Sequence, residues 1–252
     1  MKQDQDEFYV GYQPKAPAGI AGAVRGTVVL LLLLGAVAAF LIVREQKDIA
    51  AALFEFGVVR EFEGVIAAKP YPMLRVARPD AAGDAEAFSR YLLVAPFKFG
   101  ADPIVAPFDG KKVSLKGTLI YRDNKTMIEL AAEDALREIG GGVGDKPVSF
   151  GEVTLKGEIV DSKCFLGVMN PGELKTHKAC AVRCISGGIP PVLVVRDGEG
   201  TVKTFLLVDR NQGQVNQAVL PMVAEPVAVT GELVRLDDWW MLKADPESYK
   251  LL

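Results

Sequence analysis

The residues of this chain that could carry out chemistry lie together in one short segment. The three cysteines, Cys164, Cys180 and Cys184, and the only histidine, His177, all fall within residues 161–191. This segment reads DSKCFLGVMNPGELKTHKACAVRCISGGIPP. Thiolate and imidazole groups are common protein ligands of zinc and other soft transition metals. The segment is therefore a candidate metal site, and its thiols could also support thiol–disulfide chemistry.

The flanks of the cysteine-bearing stretch indicate a helix. Asn170 can cap a helix, Pro171 suits the first helical position, and Glu173 completes a capping pattern. The glycines and prolines of residues 187–191 are typical of a helix end. We therefore expect one helix between these two signals.

The spacing of the four candidate ligands is C-x12-H-x2-C-x3-C. On a helix, His177, Cys180 and Cys184 would occupy positions i, i+3 and i+7, which share one face. Cys164 precedes the helix and would fold back as the fourth group. Three thiolates and one imidazole can satisfy a tetrahedral metal ion. The spacing is not that of a familiar zinc finger, so it predicts a ligand set rather than a known motif.

Three other interpretations of the cysteines stay open. Cysteine at helical spacing is often only a small apolar core residue. Outside the cytoplasm, a disulfide between Cys164 and either Cys180 or Cys184 would staple the segment and leave one thiol free. A catalytic thiol activated by His177 is the last alternative, although no carboxylate that would orient the histidine is evident. The basic neighbours that would favour its thiolate are Lys175, Lys178 and Arg183.

Length and composition limit the class of protein. The chain has 252 residues, of which 50% are hydrophobic and 24% are charged. These values are typical of one large globular domain or two ordinary ones. The formal net charge is -3. Because nucleic-acid binding depends on an excess of lysine and arginine, we expect no nucleic-acid partner.

An uninterrupted apolar run near the amino terminus predicts a membrane anchor. Residues 1–26 are largely polar, with glycine and proline breakers, and are expected to form a tail. Residues 27–43, TVVLLLLLGAVAAFLIV, carry no charge and are just long enough to span a bilayer as a helix. A cleaved signal peptide is the competing interpretation, because residues 36–38 resemble a cleavage site. The run continues beyond that site, which favours an uncleaved anchor.

The charges beside the anchor leave its orientation nearly balanced. Lys15 and Arg25 precede the run, and Arg44 and Lys47 follow it. A short tail before a large carboxy-terminal region is the usual plan of a signal anchor. We therefore expect a single-pass cell-membrane protein whose bulk is extracytoplasmic. Residues 47–56 are expected to extend the helix beyond the membrane.

The chain after the anchor contains two similar copies of one strand pattern. Short apolar stretches alternate with turn residues, which is typical of strands. Four stretches of the first copy match four of the second in the same order, namely residues 62–66 with 155–159, 72–76 with 191–195, 91–94 with 205–208, and 113–119 with 227–233. An ordered match of this kind indicates a duplicated domain.

Each copy is predicted to form five strands with a short helical segment after the third. This order resembles the OB-fold, a small Greek-key barrel of five strands. The predicted fold class is therefore mainly β, with two tandem OB-like barrels at residues 57–130 and 151–252. Residues 131–150 between them are predicted to form a helix, over residues 131–139, and a glycine-rich linker.

The two copies differ at the connection between their first and second strands. In the first copy residues 67–71 make this connection, whereas in the second it runs over residues 160–190. The extra length is the insertion of residues 161–190, which carries the cysteines and the histidine. The first barrel folds without such a segment, and in OB-folds this connection flanks the usual ligand face. The insertion is therefore predicted to serve function rather than folding.

The stretch GEIVDSKC…HKACAVRCISGGIP resembles a motif of bacterial membrane-anchored or exported OB-like domains, a family of largely unassigned role. The plan of one anchor before an extracytoplasmic barrel is also similar to the haem chaperone of cytochrome c maturation. That family attaches haem through a histidine followed closely by a tyrosine. Here His177 is followed by Lys178, Ala179 and Cys180. The resemblance therefore covers architecture and does not imply haem attachment.

These observations support three expectations of function. The leading one is a membrane-anchored, extracytoplasmic accessory or assembly protein of a redox or respiratory complex, in which the cysteines and the histidine bind a metal or undergo thiol–disulfide change. The resemblance to bacterial proteins implies a periplasmic location, with a larger membrane protein complex as partner. The second is a non-catalytic structural subunit whose insertion is stapled by a disulfide. The third is an OB-type oligonucleotide or saccharide binder. The acidic net charge and the few aromatic residues count against nucleic acid as its ligand. No residue set in the sequence identifies a catalysed reaction.

Overall fold

The computed structural model describes residues 16–45, 52–78, 88–132, 135–142, 147–198 and 200–252. The chain separates into two compact units, Met1–Asp48 and Ile49–Leu252, and each is described by itself. In its described part the first unit is a single helix, while the second unit contains both barrels.

Helix α1, Ala18–Glu45, forms the described part of the first unit. Leucine and alanine are strong helix formers, and 28 residues give a helix of about 42 Å. Within Ala18–Arg44, an 18-residue window has a mean hydropathy of 2.8, so this stretch is long and apolar enough to cross a membrane. It is a candidate single membrane span or signal anchor.

The amino-terminal helix is longer than expected from sequence. Residues 18–26 were predicted to belong to the polar tail, and the structure corrects this because they form the first turns of α1. Small and apolar residues fill these turns, and Arg25 is the only charged residue among them. The rest of the predicted tail, residues 1–15, lies outside the described residues.

The first barrel begins with β1, Ala52–Phe54, and continues through β2, Arg60–Ala67, β3, Met73–Ala77, and β4, Phe88–Val94. Helix α2, Asp102–Val105, and a 3-10 turn, Ala106–Phe108, precede β5, Lys111–Arg122, β6, Lys125–Leu130, and β7, Leu136–Gly141. The barrel closes in the order β2-β3-β4-β6-β5, and β5 pairs back with β2. The β4–β6 pair is parallel and the other pairs are antiparallel.

The second barrel begins with the long strand β8, Val148–Asp161. The insertion follows, with a π-helical turn, Cys164–Val168, a 3-10 turn, Lys175–His177, and helix α3, Lys178–Ser186. The remaining elements are β9, Pro191–Arg196, β10, Val202–Val208, α4, Asn216–Val219, a 3-10 turn, Leu220–Met222, β11, Pro226–Leu236, β12, Trp239–Lys243, a 3-10 turn, Pro246–Ser248, and β13, Lys250–Leu251. This barrel closes as β8-β9-β10-β12-β11, with β10 and β12 parallel.

The two barrels have the same topology and the same register. Gly64 lies opposite Val113 in the first barrel, and Gly157 lies opposite Val227 in the second. The third and fifth strands agree as well, since Leu92 pairs with Met127 and Leu206 with Met241. Both barrels have the OB strand order and a short helix after the third strand. The prediction of a mainly β chain with two OB-like barrels is confirmed.

Strand β5 pairs with two short strands outside the barrel order, and these pairings explain two wrong predictions. The helix predicted over residues 131–139 is wrong for its second half, because β7, Leu136–Gly141, pairs with the first half of β5. The predicted extension of the anchor helix is also wrong at its end, because β1, Ala52–Phe54, pairs with the last residues of β5. Backbone groups at a strand edge need hydrogen-bond partners, and this need outweighs the local helix propensity.

A shared apolar core joins the two barrels. Each barrel has an internal core, and a further cluster combines residues of both barrels with the start of the insertion. Trp239 is the largest fully buried side chain of this shared cluster, and its indole donates a hydrogen bond to the Arg90 carbonyl over 2.8 Å. Phe165 and Leu166, which follow Cys164, are buried in the same cluster. The start of the insertion is therefore buried between the two barrels.

An ion-pair network reinforces the contact between the barrels. The Asp237 carboxylate of the second barrel contacts the guanidinium Nε of Arg75 at 2.9 Å and that of Arg90 at 2.7 Å. Both arginines belong to the first barrel, and Arg90 is 2% exposed. Burial opposes ionisation of Asp237, but hydrogen bonds and charge from the two arginines lower the pKa of its carboxyl overall. The charged pairs therefore favour the docked state.

We predict that Asp237→Asn destabilises the protein by about 2 kcal/mol, because it removes two largely buried ion pairs. The thermal midpoint measured by circular dichroism would fall by about 4–8 °C. Asparagine is isosteric and tolerates the positive φ of 51° at this position. The matched control is Asp123→Asn, at the exposed equivalent turn of the first barrel with a φ of 52°; it should change stability by less than about 0.5 kcal/mol.

The pH dependence gives the same prediction a second check. A carboxyl whose pKa is depressed on folding contributes stability above its unfolded-state pKa of about 4 and loses it as the pH falls through the folded-state value. The wild-type protein and Asp237→Asn should therefore converge in acid and differ most at neutral pH. Equal midpoints at neutral pH would show that the network does not hold the barrels together.

Candidate metal centre

The three thiols of the insertion lie together in space. The sulfur atoms of Cys164, Cys180 and Cys184 are all within 4.8 Å of one another. All three are free thiols, and the Cys164 and Cys180 sulfur atoms are 4.0 Å apart, about twice the length of a disulfide bond. Cys164 and Cys184 are buried, whereas Cys180 is partly exposed. The group can hold a metal ion, and Cys180 gives it access to solvent.

A buried carboxylate joins the histidine to this group. Asp161 is fully buried, and its Oδ2 lies 3.0 Å from Nε2 of His177. Its Oδ1 accepts a hydrogen bond from the Cys164 backbone N–H over 2.8 Å. Asp161, Cys164 and His177 form a second group whose ligand atoms lie within 4.8 Å of one another. Cys164 belongs to both groups, and His177 is grouped with Asp161 and Cys164 but not with Cys180 and Cys184.

The sequence identifies no carboxylate that orients the histidine, and the structure corrects this. Asp161, the last residue of strand β8 and the first of the insertion, takes that position. A usable signal is present in the sequence, because an aspartate at the start of a helical turn often accepts a hydrogen bond from the backbone N–H three residues later. The sequence Asp161-Ser-Lys-Cys164 has this spacing.

The helix of the insertion begins later than its sequence signals predict. The helix predicted from Asn170 is wrong, because α3 begins at Lys178, after the 3-10 turn Lys175–His177. A methyl group on Gly172 would lie 2.4 Å from the carbonyl oxygen of Cys164, so this glycine permits the chain to pack closely against the π-helical turn Cys164–Val168. Because α3 begins at Lys178, His177 lies just before the helix, where its ring contacts Asp161. Cys180 and Cys184 are one turn apart on α3.

A lysine of the first barrel completes the site. Nζ of Lys98 donates a hydrogen bond to Sγ of Cys180 at 2.9 Å and approaches Sγ of Cys184 at 3.5 Å. The basic residues of the insertion itself do not take this position, since Lys175 and Lys178 both pair with Glu225. Lys98 was not predicted, because it is 82 residues from Cys180 along the chain.

The loop that carries Lys98 is fixed against the insertion. Lys163, which is 2% exposed, donates hydrogen bonds to the carbonyls of Ala95 at 3.0 Å and Phe97 at 2.6 Å. Its ammonium also pairs with Glu129 of the first barrel. A methyl group on Gly187 would lie 2.0 Å from the Lys98 carbonyl oxygen, so only glycine permits this approach. The position of the Lys98 ammonium therefore depends on both barrels.

The site distributes protons unequally among the thiols. The hydrogen bond between Cys164 and Cys184, burial, and the charge of Asp161 together raise the pKa of the Cys164 thiol. The same hydrogen bond, helped by Lys98, lowers the pKa of the Cys184 thiol, against burial and Asp161. The hydrogen bond to Cys180 also raises the pKa of Lys98, so its ammonium stays charged beside the thiols. One thiol of the Cys164 and Cys184 pair is therefore easier to deprotonate than the other, and thiolates are the species that ligate metals.

Comparison of the chain with protein-family models, curated proteins and solved structures finds no match. The resemblance to membrane-anchored OB-domain proteins therefore rests on the amino-terminal apolar helix, the two barrels and the cysteine and histidine cluster.

We predict that Lys98→Met raises the pKa at which the thiol cluster ionises, because it removes the cation beside Cys180 and Cys184. Ultraviolet thiolate absorbance should be titrated on the metal-free, reduced full chain in detergent. The variant should require a higher pH for the first ionisation. The matched control is Lys116→Met, at an exposed position of β5, which should titrate as the wild type does. Coincident curves for Lys98→Met and wild type would contradict the assigned role of Lys98.

Proposed function

We propose that this protein is a membrane-anchored carrier or assembly factor that binds one soft metal ion through the thiolates of Cys164, Cys180 and Cys184. The observation that carries the proposal is the convergence of all three sulfur atoms within 4.8 Å of one another. Thiolate ligands select Cu⁺ and Zn²⁺ among the common ions. These two ions are therefore the expected cargo or cofactor.

The neighbouring groups support metal binding over simple packing. A cluster needed only as apolar core would not place the Lys98 ammonium 2.9 Å from a sulfur atom. It would also not bring a buried imidazole and a buried carboxylate to Cys164. We assign His177 as the fourth ligand of a tetrahedral ion through its Nδ1 atom, because its Nε2 atom contacts Asp161 at 3.0 Å. Asp161 would orient the ring, since ligand histidines usually have a carboxylate or carbonyl partner.

The proposed cellular role follows from soft-metal chemistry combined with the anchor. A membrane helix before a metal-binding unit would hold the metal near membrane proteins that need it. We propose that the bulk of the chain is extracytoplasmic and that its partner is a redox or respiratory complex in the same membrane. The partly exposed Cys180 supports this role, because transfer of a metal between proteins requires one ligand that an incoming thiol can reach.

A second candidate function is a structural subunit whose insertion is stapled by a disulfide. The observation that favours it is the 4.0 Å distance between the Cys164 and Cys180 sulfur atoms. A small movement would bring these atoms to bonding distance under oxidising conditions. In that case the protein would hold a partner without binding a metal.

We predict that the reduced full chain in detergent binds one Zn²⁺ or Cu⁺ per molecule in competition with a chromophoric chelator. Cys180→Ser and Cys184→Ser should each weaken binding by about 100-fold or more, because each removes a thiolate ligand. The matched control is Ser186→Ala, on the same helix but outside both ligand groups. It should bind the metal like the wild type.

Thiol counting separates the two candidate functions. For the metal proposal, three thiols should react in the metal-free reduced protein, and metal loading should protect them. A protein that takes up no ion and shows two unreactive thiols until it is reduced would refute the metal proposal and support the disulfide-stapled subunit.

A further inference from the structure

A polar cavity lies apart from the thiol cluster. It has a volume of about 400 Å³ and is formed by the β5–β6 hairpin of the first barrel, the start of β10, and the π-helical turn of the insertion. The side chains that matter for its chemistry are Arg122, Lys125, Phe165, Lys203, Asp238 and Trp240. None of the groups discussed for metal binding is among them.

Arg122 is the unusual feature of this cavity. The residue is 6% exposed, and its Nε is buried without a hydrogen-bond partner. Among the described residues its guanidinium makes no ion pair or hydrogen bond, and its recorded contact is with the Phe165 ring, 4.2 Å from the guanidinium carbon. A buried charge without a counterion is costly. Burial accordingly lowers the pKa of Arg122, although arginine stays charged in proteins.

The other charges of the cavity leave room for an anion. Lys125 is 7% exposed, and its ammonium donates to the Asp238 carbonyl, which leaves further N–H donors. Lys203 is exposed at the start of β10. The Asp238 carboxylate is already engaged, since it accepts from the Arg90 backbone N–H at 2.8 Å and pairs with Arg78 at 3.2 Å.

The carboxylates nearest to Arg122 do not bind its guanidinium directly. Asp123 is an exposed turn residue that acts on Arg122 only through its charge. Glu173 also acts through its charge and is paired with Arg196. Neither carboxylate makes a hydrogen bond to Arg122 within the described part of the chain. The buried guanidinium therefore lacks the direct acceptor that arginine usually has.

We propose that this cavity binds a small oxyanion, either a phosphate or a carboxylate group, with Arg122 as the anchor and with Lys125 and Lys203 beside it. The planar guanidinium offers paired N–H donors that match both kinds of anion. The Phe165 ring holds its plane in place. Trp240 and Val202 form an apolar wall that an organic part of the ligand would contact. The site is separate from the metal proposal and can be tested on metal-free protein.

The test is a titration of the metal-free full chain in detergent at low, constant ionic strength, with inorganic phosphate in one arm and succinate in the other. Tryptophan fluorescence reports binding, because Trp240 lines the cavity. We expect saturable binding of at least one probe, and the tighter probe identifies the anion class. Arg122→Met should weaken that binding by about tenfold or more, because a bidentate charged contact is lost.

The matched control is Arg235→Met. Arg235 is an exposed arginine that also lies over an aromatic ring, that of Phe150 at 5.7 Å, and it does not line the cavity. This variant changes the net charge equally and should alter binding by less than about twofold. If Arg122→Met does not fold, the exposed Lys203→Glu should still weaken binding by about fivefold. The absence of saturable binding of both probes, or unchanged binding by the folded variants, would overturn the proposal.

Discussion

The buried carboxylate of Asp161 is the constraint on which the insertion depends. It is fully excluded from solvent, and both of its oxygens have partners, the Cys164 backbone N–H and the His177 ring. A carboxylate in such a place must be hydrogen-bonded, because an unpaired buried charge is strongly unfavourable. The folded chain must therefore place the Cys164 backbone N–H and the His177 ring next to this carboxylate. That requirement holds His177 ahead of helix α3 and places Cys164 where the sulfur atoms on the helix can reach it.

The duplicated barrel provides the other half of the site. Both copies share one topology, and the second uses its first connection to carry the reactive side chains. The first copy keeps this connection short, and its Tyr71 is fully buried and donates a hydrogen bond to Asn216 at 2.9 Å. Asn216 in turn donates to the carbonyls of Ile185 and Ile189, at the end of α3. The first barrel thus supports the insertion and also supplies Lys98.

Much of the fold could be predicted from local signals, because strand periodicity and glycine positions repeat in both copies. The cysteines and the histidine were evident from their types and grouping. Lys98 was not, since only the packing of two barrels brings it to Cys180. Strand β7 was not predicted either, because pairing with β5 outweighs its own propensity. The late start of α3 depends on Asp161 and His177, which are 16 residues apart and meet only in the folded chain.

We propose that three sulfur atoms from two parts of the insertion act as one ligand set. X-ray absorption at the metal edge of the loaded full chain measures this ligand set. We predict a first shell dominated by three sulfur scatterers, at about 2.3 Å for zinc. A first shell made only of nitrogen and oxygen atoms would contradict it, because an ion held in that way would not be bound by Cys164, Cys180 and Cys184.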